Sequence, residues 1–144
     1  MRFAVSTDGL DEALLKLRML AAKGENLSPM LDELGDDEVE RVMRRFEHSK
    51  APDGTPWQPL KRPRPLRQGQ RGIGGDQPLM NIGNLYNSIE AQVIGKHRLQ
   101  IGTATDYAHY HQFGTQHIPA RPFLGVSDDL LASIQELTYA YFDL

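Results

Sequence analysis

Residues 105–125 read TDYAHYHQFGTQHIPARPFLG, and the rest of the chain is best understood relative to them. The stretch holds four aromatic residues (Tyr107, Tyr110, Phe113, Phe123), three histidines (His109, His111, His117), one arginine and two prolines in 21 residues. A non-repeating run of bulky amphipathic groups at this density is not a solvated linker. Its first half suits a short helix: Thr105 or Asp106 is placed to cap the start, and Gly114 to end it in the left-handed region. Tyr107, Tyr110 and Phe113 recur every three residues, which predicts one aromatic face. Pro119 and Pro122 then fix their own φ and bias Ile118 and Arg121 toward extended geometry. The expected unit is a helix, a loop and an extended arm carrying Phe123 and Leu124 back to apolar ground.

Working outward, residues 91–94 and 98–102 alternate around Gly95 and read as a β-hairpin. The alternation at 2–6 suits a further strand, and 121–124 suits another. Three longer stripes recur at helical spacing. The first, 10–22, places Leu10, Ala13, Leu14, Leu17, Leu20 and Ala21 together, with Asp8 before it and Gly24 after. Its apolar face is either core or a partner-facing stripe. The second, 29–48, starts at Ser28-Pro29 and runs from Met30 to Phe46, with a weak point at Gly35-Asp36-Asp37. Its charged residues (Glu38, Glu40, Arg41, Arg44, Arg45, Glu47) read as a solvated face. The third, 128–141, has Ser127 as its cap and Asp128 and Asp129 at the favourable end of the dipole. Residues 79–89 suit a short additional helix. The predicted fold class is α+β: a small antiparallel sheet packed against three main amphipathic helices, with a long Pro/Gly/Arg-rich loop.

That loop begins where five prolines between positions 52 and 65 rule out regular helix. Lys61, Arg62, Arg64, Arg67 and Arg71 follow with no acid between Gly54 and Gly75. Two readings stand side by side: a linker balancing an acidic body, or an arm that grips an acidic surface or DNA. Trp57, the only tryptophan, either pins this loop to the core or anchors an interface. Arg121, held between prolines, forms either a bridge within the domain or one to an adjacent copy.

Composition bounds the function classes. At 144 residues the chain is expected to form one domain, 1–144. Zero cysteines excludes disulfides and thiolate chemistry, and a net charge of −3 argues against a general nucleic-acid binder. No run is long enough to span a bilayer, and the first residues lack a signal-peptide plan, so cytoplasmic assembly without membrane contact is expected. The histidines are the strongest enzymatic temptation. On a helix, however, His109 and His111 point about 200° apart and cannot share a metal. No phosphate-binding loop, nucleophile elbow or zinc-protease motif occurs. The acid pairs sit at helix starts, where capping explains them. Neither cofactor, metal nor catalytic site is expected.

Three blocks carry a resemblance. Tyr107-Ala108, His111-Gln112-Phe113-Gly114 and the run from Ile118 through Pro119, Arg121, Pro122 and Phe123 to Gly125 form one. Pro52-Asp53-Gly54-Thr55-Pro56-Trp57-Gln58-Pro59-Leu60 forms another, and LMNIGNLYNS at 79–88 the third. In this order they resemble the phage virion morphogenesis family, the tail-completion proteins of Mu-like contractile-tailed phages and prophages. The resemblance covers roughly residues 30–140. It implies a non-enzymatic protein that completes the tail or neck at the head–tail junction. There it would form a ring of identical subunits, expected to be six, around the DNA channel, and dock on other tail, neck or connector proteins with passing DNA contact. Tyr107, His111, Phe113, Arg121 and Phe123 would shape that scaffold, with Trp57 and the basic arm reaching neighbours. The competing reading is a small nucleic-acid-binding domain that uses the 61–75 arm and stacks bases on its aromatics.

Overall fold

The computed structural model describes residues 10–60, 78–79 and 84–142. Four helices and one hairpin follow in order: α1 (Leu10–Ala22), α2 (Ser28–His48), a 3-10 turn (Tyr86–Ser88), β1 (Glu90–Ile94), β2 (Arg98–Gly102), α3 (Ala108–Phe113) and α4 (Asp128–Phe142). The two strands form a two-stranded antiparallel sheet, so the class is α+β as expected. The expected strand at 2–6, the cap Asp8 and the whole basic segment (Lys61, Arg62, Arg64, Arg67, Arg71) lie outside the described residues. The chain divides into two compact units. One comprises Met1–Glu38, Ala91–Gln100 and Val126–Leu144; the other comprises Val39–Glu90 and Ile101–Gly125.

The first unit is built by α1, the start of α2, the hairpin tip and α4. Leu27, Met30, Leu31, Leu34 and Leu137 form its buried centre, with Leu17, Leu20, Val93, Leu99, Leu130 and Ile134 packed around them. Of the stripe expected on α1, Ala13 is buried and Leu17, Leu20 and Ala21 are half-buried, while Leu14 is exposed. α2 runs through Gly35-Asp36-Asp37 unbroken. Gly35 is there for proximity, not for weakness. A Cβ at this position would stand 2.9 Å from the Ala91 Cβ and 3.0 Å from a Leu99 methyl, so the bare glycine lets the hairpin lie against the helix. Ser28 is already helical; Asn26 Oδ1 accepts from its N–H (3.1 Å) and hydroxyl (2.6 Å). The first helical bond runs from the Leu31 N–H to the Leu27 carbonyl at 3.0 Å, so Ser28 is inside the helix and not its cap.

α4 starts as expected. Ser127 Oγ accepts from the Leu130 N–H at 3.1 Å, and Asp128 and Asp129 occupy the first turn. Ser127→Ala should lower stability by about 1 kcal/mol in denaturant unfolding. An unchanged midpoint would show that water replaces the hydroxyl there. Farther along, fully buried Thr138 donates to the Ile134 carbonyl at 2.6 Å, so its hydroxyl is satisfied within the helix.

The second unit has its own core: Val42, Phe46, Trp57, Leu79, Leu85, Ile89, Ala108 and Phe123. Phe46 is its centre. Trp57 meets it edge-on at 5.5 Å, Tyr86 at 6.0 Å, and Phe123 lies tilted at 5.3 Å, geometries that suit the ring quadrupoles. Two residues assigned to a solvated face are buried instead, Glu38 in the first unit and Arg45 in the second. Glu40 and Arg44 do pair on the surface at 3.3 Å, both largely exposed, a contact worth tenths of a kcal/mol. The short helix expected at 79–89 reduces, among the described residues, to turns at 78–79 and 84–85 and the 3-10 turn; Leu79 has φ of 64°, which no helix admits.

Candidate functional site: an aromatic face on a side-chain-laced strap

The three sequence blocks meet in the second unit. Trp57 from the 52–60 block, Leu79 and Leu85 from the 79–88 block and Phe123 from the 107–125 block share one core. The segment 121–124, expected as a strand, pairs with no strand among the described residues. Side chains take the place of a neighbouring strand. Gln112 Oε1 accepts from the N–H groups of both Phe123 and Leu124 at 3.0 Å, and its Nε2 donates to the Leu124 carbonyl at 2.8 Å. One amide thus satisfies three backbone groups that would otherwise go unpaired in a part-buried setting. The Arg121 N–H donates to the His111 carbonyl at 2.7 Å. Arg45 Nη1 donates to the Phe123 carbonyl at 2.8 Å, and Trp57 Nε1 to the Pro122 carbonyl at 2.7 Å.

Arg121 is buried and turns inward. Its Nε donates to the Gln58 carbonyl at 2.8 Å and an Nη to the Pro59 carbonyl at 3.3 Å. It clasps the Trp57 loop to the strap within one chain, so a bridge to an adjacent copy is not what this burial provides. Trp57 is likewise 5% exposed, and within this chain it takes the first of its two expected readings, pinning its loop to the core. The turn before it is tight. Asp53 Oδ1 accepts from the Thr55 N–H at 2.9 Å, and this bond, with a further one to the Thr55 side chain, holds the Asp53 carboxyl below its ordinary range. That contribution is present above the ordinary carboxyl pKa and is lost as pH falls through the lowered one.

α3 starts differently from expectation. Neither Thr105 nor Asp106 caps it through a side chain; the Thr105 carbonyl accepts from the Ala108 N–H, while Thr105 Oγ1 is engaged with Thr103 at 2.9 Å. Gly114 ends it as predicted, but with ψ of 170° rather than in the left-handed helical region. Gly114 has φ of 76°, and a Cβ there would stand 2.8 Å from the Ala120 nitrogen. Thr115 then closes the loop, accepting from the His117 and Ile118 N–H groups at 3.2 and 3.0 Å. Pro119 is half-buried beyond it.

The aromatic face predicted from the spacing of Tyr107, Tyr110 and Phe113 exists, and it points outward. All three are exposed, Phe113 at 78%. His111 is half-buried, its ring edge-on to Tyr107 at 5.9 Å, and His109 stacks obliquely on Tyr110 at 4.0 Å. Beside this face lies a cleft of about 400 Å³, walled by Thr103, Ala108, His109, Phe113, Phe123 and Leu124. The arrangement offers apolar and aromatic surface. Among the described residues, no three His, Cys, Asp or Glu side chains converge on a metal position.

Sequence reasoning missed the buried role of Arg45, which it assigned to a solvated face. Arg45 stands three residues after Val42 and beside Phe46, on the buried side of the α2 stripe, so spacing alone could have found it.

Residues 6–143 match the phage virion morphogenesis family. The chain belongs to that family. It is 30% identical over 93 residues to the Mu-like prophage FluMu G protein 1 of Haemophilus influenzae, spanning 64% of this chain and 63% of that protein. It is 29% identical over 147 residues to FluMu G protein 2 of the same organism, spanning 97% and 96%. No solved structure matches it. Its role is accordingly in phage morphogenesis, as a virion-associated protein. Among the described residues no helix is long and apolar enough to cross a membrane.

Proposed function

We propose that this protein is a non-enzymatic structural component that completes the phage tail or neck at the head–tail junction, as a ring of identical subunits, six in number, around the DNA channel. The observation that carries the reading is the family match over residues 6–143. The geometry supports it. Bulky residues such as Phe113 face solvent while the polar side chains that might otherwise do chemistry (Gln112, Arg45, Arg121) are spent lacing backbone. An exposed aromatic face on a rigidly held element is what an assembly protein needs for contacts made after folding. Neighbouring copies, and then the tail, neck or connector, are the proposed partners.

The test is deletion of the coding sequence from the phage or prophage that carries it, followed by electron microscopy of the induced lysate. Filled heads and separate tails should accumulate, and supplying the protein in trans should restore joined particles. Intact infectious particles in its absence would overturn the reading. Native mass spectrometry of the purified chain reads the copy number directly, with a discrete closed oligomer as the expected result.

A further inference from the structure

α1 carries apolar side chains on two sides. Ala13 is buried, and Leu17, Leu20 and Ala21 are half-buried against the first unit's core. Asp11, Leu14, Leu15, Arg18, Met19 and Ala22 follow at i, i+3, i+4, i+7, i+8 and i+11, the spacing of one helix face, and all are exposed. Leu14, Leu15 and Met19, at 40%, 59% and 49%, make an apolar patch of the kind that marks a contact surface. The order of its residues says what fits it. Asp11 and Arg18 stand equally far on either side of the point between Leu14 and Leu15, with opposite charge. They are about 10 Å apart along the axis, beyond the three- or four-residue reach of an ion pair within one helix. Among the described residues neither has an ionic partner.

We infer that two copies of this chain pair through α1, antiparallel, about a two-fold axis between Leu14 and Leu15. The axis sets Asp11 of each copy opposite Arg18 of the other, and Leu14 against Leu15. That is the self-complementarity a two-fold contact requires, where residue i meets j and j meets i. A parallel pairing would set Asp11 on Asp11 and Arg18 on Arg18, and like charges oppose it. The leucines and the flexible Met19 supply the water-excluding centre, and the Arg18 stem lies along it with its guanidinium at the edge. The two ion pairs fix direction and register more than they add affinity. Such a contact closes at two copies and builds no ring. It is thus separate from the ring reading, and neither stands on the other. α1 then serves both purposes its periodicity allowed, a core on one side and a partner on the other.

Charge reversal tests the pairing on the full chain. Asp11→Arg and Arg18→Asp are made singly, at exposed positions, with circular dichroism to confirm an unchanged fold. Wild type, each variant and their equimolar mixture are compared at micromolar concentration by native mass spectrometry and sedimentation velocity. The wild type should pair. A D11R pair sets arginine against arginine at both ends, and an R18D pair sets aspartate against aspartate. Each variant alone should therefore pair at least about tenfold more weakly than the wild type. The mixture should recover wild-type pairing with one copy of each, because arginine then faces aspartate at both ends. Variants that pair as tightly as the wild type overturn the contact, as does a mixture no better than either variant alone. A wild type that stays monomeric also overturns it and assigns the patch to a different partner. A larger closed oligomer that both variants form as readily as the wild type removes this pair and leaves the ring reading standing.

Discussion

Trp57→Ala should destabilise the second unit by about 3–5 kcal/mol, the range for emptying a buried aromatic site. The side chain is 5% exposed and packs edge-on against Phe46, and its Nε1 is the donor to the Pro122 carbonyl. Alanine removes the packing, leaves a cavity and strands that carbonyl. Trp57→Phe separates the terms. It keeps most of the apolar contact and loses the hydrogen bond, so the expected loss is about 1 kcal/mol plus a small packing term. Urea unfolding of the three proteins, followed by circular dichroism, gives the comparison. If Trp57→Ala shifted the midpoint no more than a surface substitution, the ring would not be a core anchor. Its expected place at an interface would then have to be reconsidered.

The contrast between Trp57 and Phe113 shows what the sequence could and could not reveal. Both are bulky groups in segments that contain Pro or Gly, and both belong to the blocks that carry the family resemblance. Periodicity placed Phe113 on a face with Tyr107 and Tyr110 but gave no sign of which way that face looks, because α3 is too short to show a polar side. The long helices were legible for the opposite reason. α2 and α4 run over several turns from a start signal, and their extents follow the prediction closely. The hairpin was legible through Gly95, whose φ of 64° makes the turn. What could not be read was any long-range polar contact. The strap at 121–124 looks like a strand because its residues are extended, yet its partners are side chains from positions 45, 57 and 112. Local pattern reports backbone conformation, and it does not report who satisfies the hydrogen bonds. Gly35 was misread on the same ground, since its reason lies in Ala91 and Leu99, far along the chain.

Gln112→Ala is the second large effect expected, about 2–4 kcal/mol, from two backbone N–H groups and one carbonyl losing their partner, less what water recovers at a part-buried site. Its consequence reaches further than stability. Gln112 lies on α3, so the same side chain ties the helix that bears Tyr107, Tyr110 and Phe113 to the strap that lines the adjacent cleft. Loosening it frees the aromatic face from its support without altering any exposed residue. Gln112→Glu isolates the geometry. A carboxylate still accepts from the Phe123 and Leu124 N–H groups, but it sets an oxygen against the Leu124 carbonyl where an N–H stood. The expected loss is smaller than for alanine, and protonation of the glutamate at low pH should restore the missing donor and part of the stability. A pH titration of Q112E unfolding therefore reads the third bond by itself. If Q112E were as unstable as Q112A at every pH, the two N–H bonds would contribute nothing and the strap would owe its position to Arg45, Trp57 and Arg121 alone. If Q112A kept wild-type stability yet lost assembly, the amide would serve the face and not the fold, and the link between strap and interface would be direct.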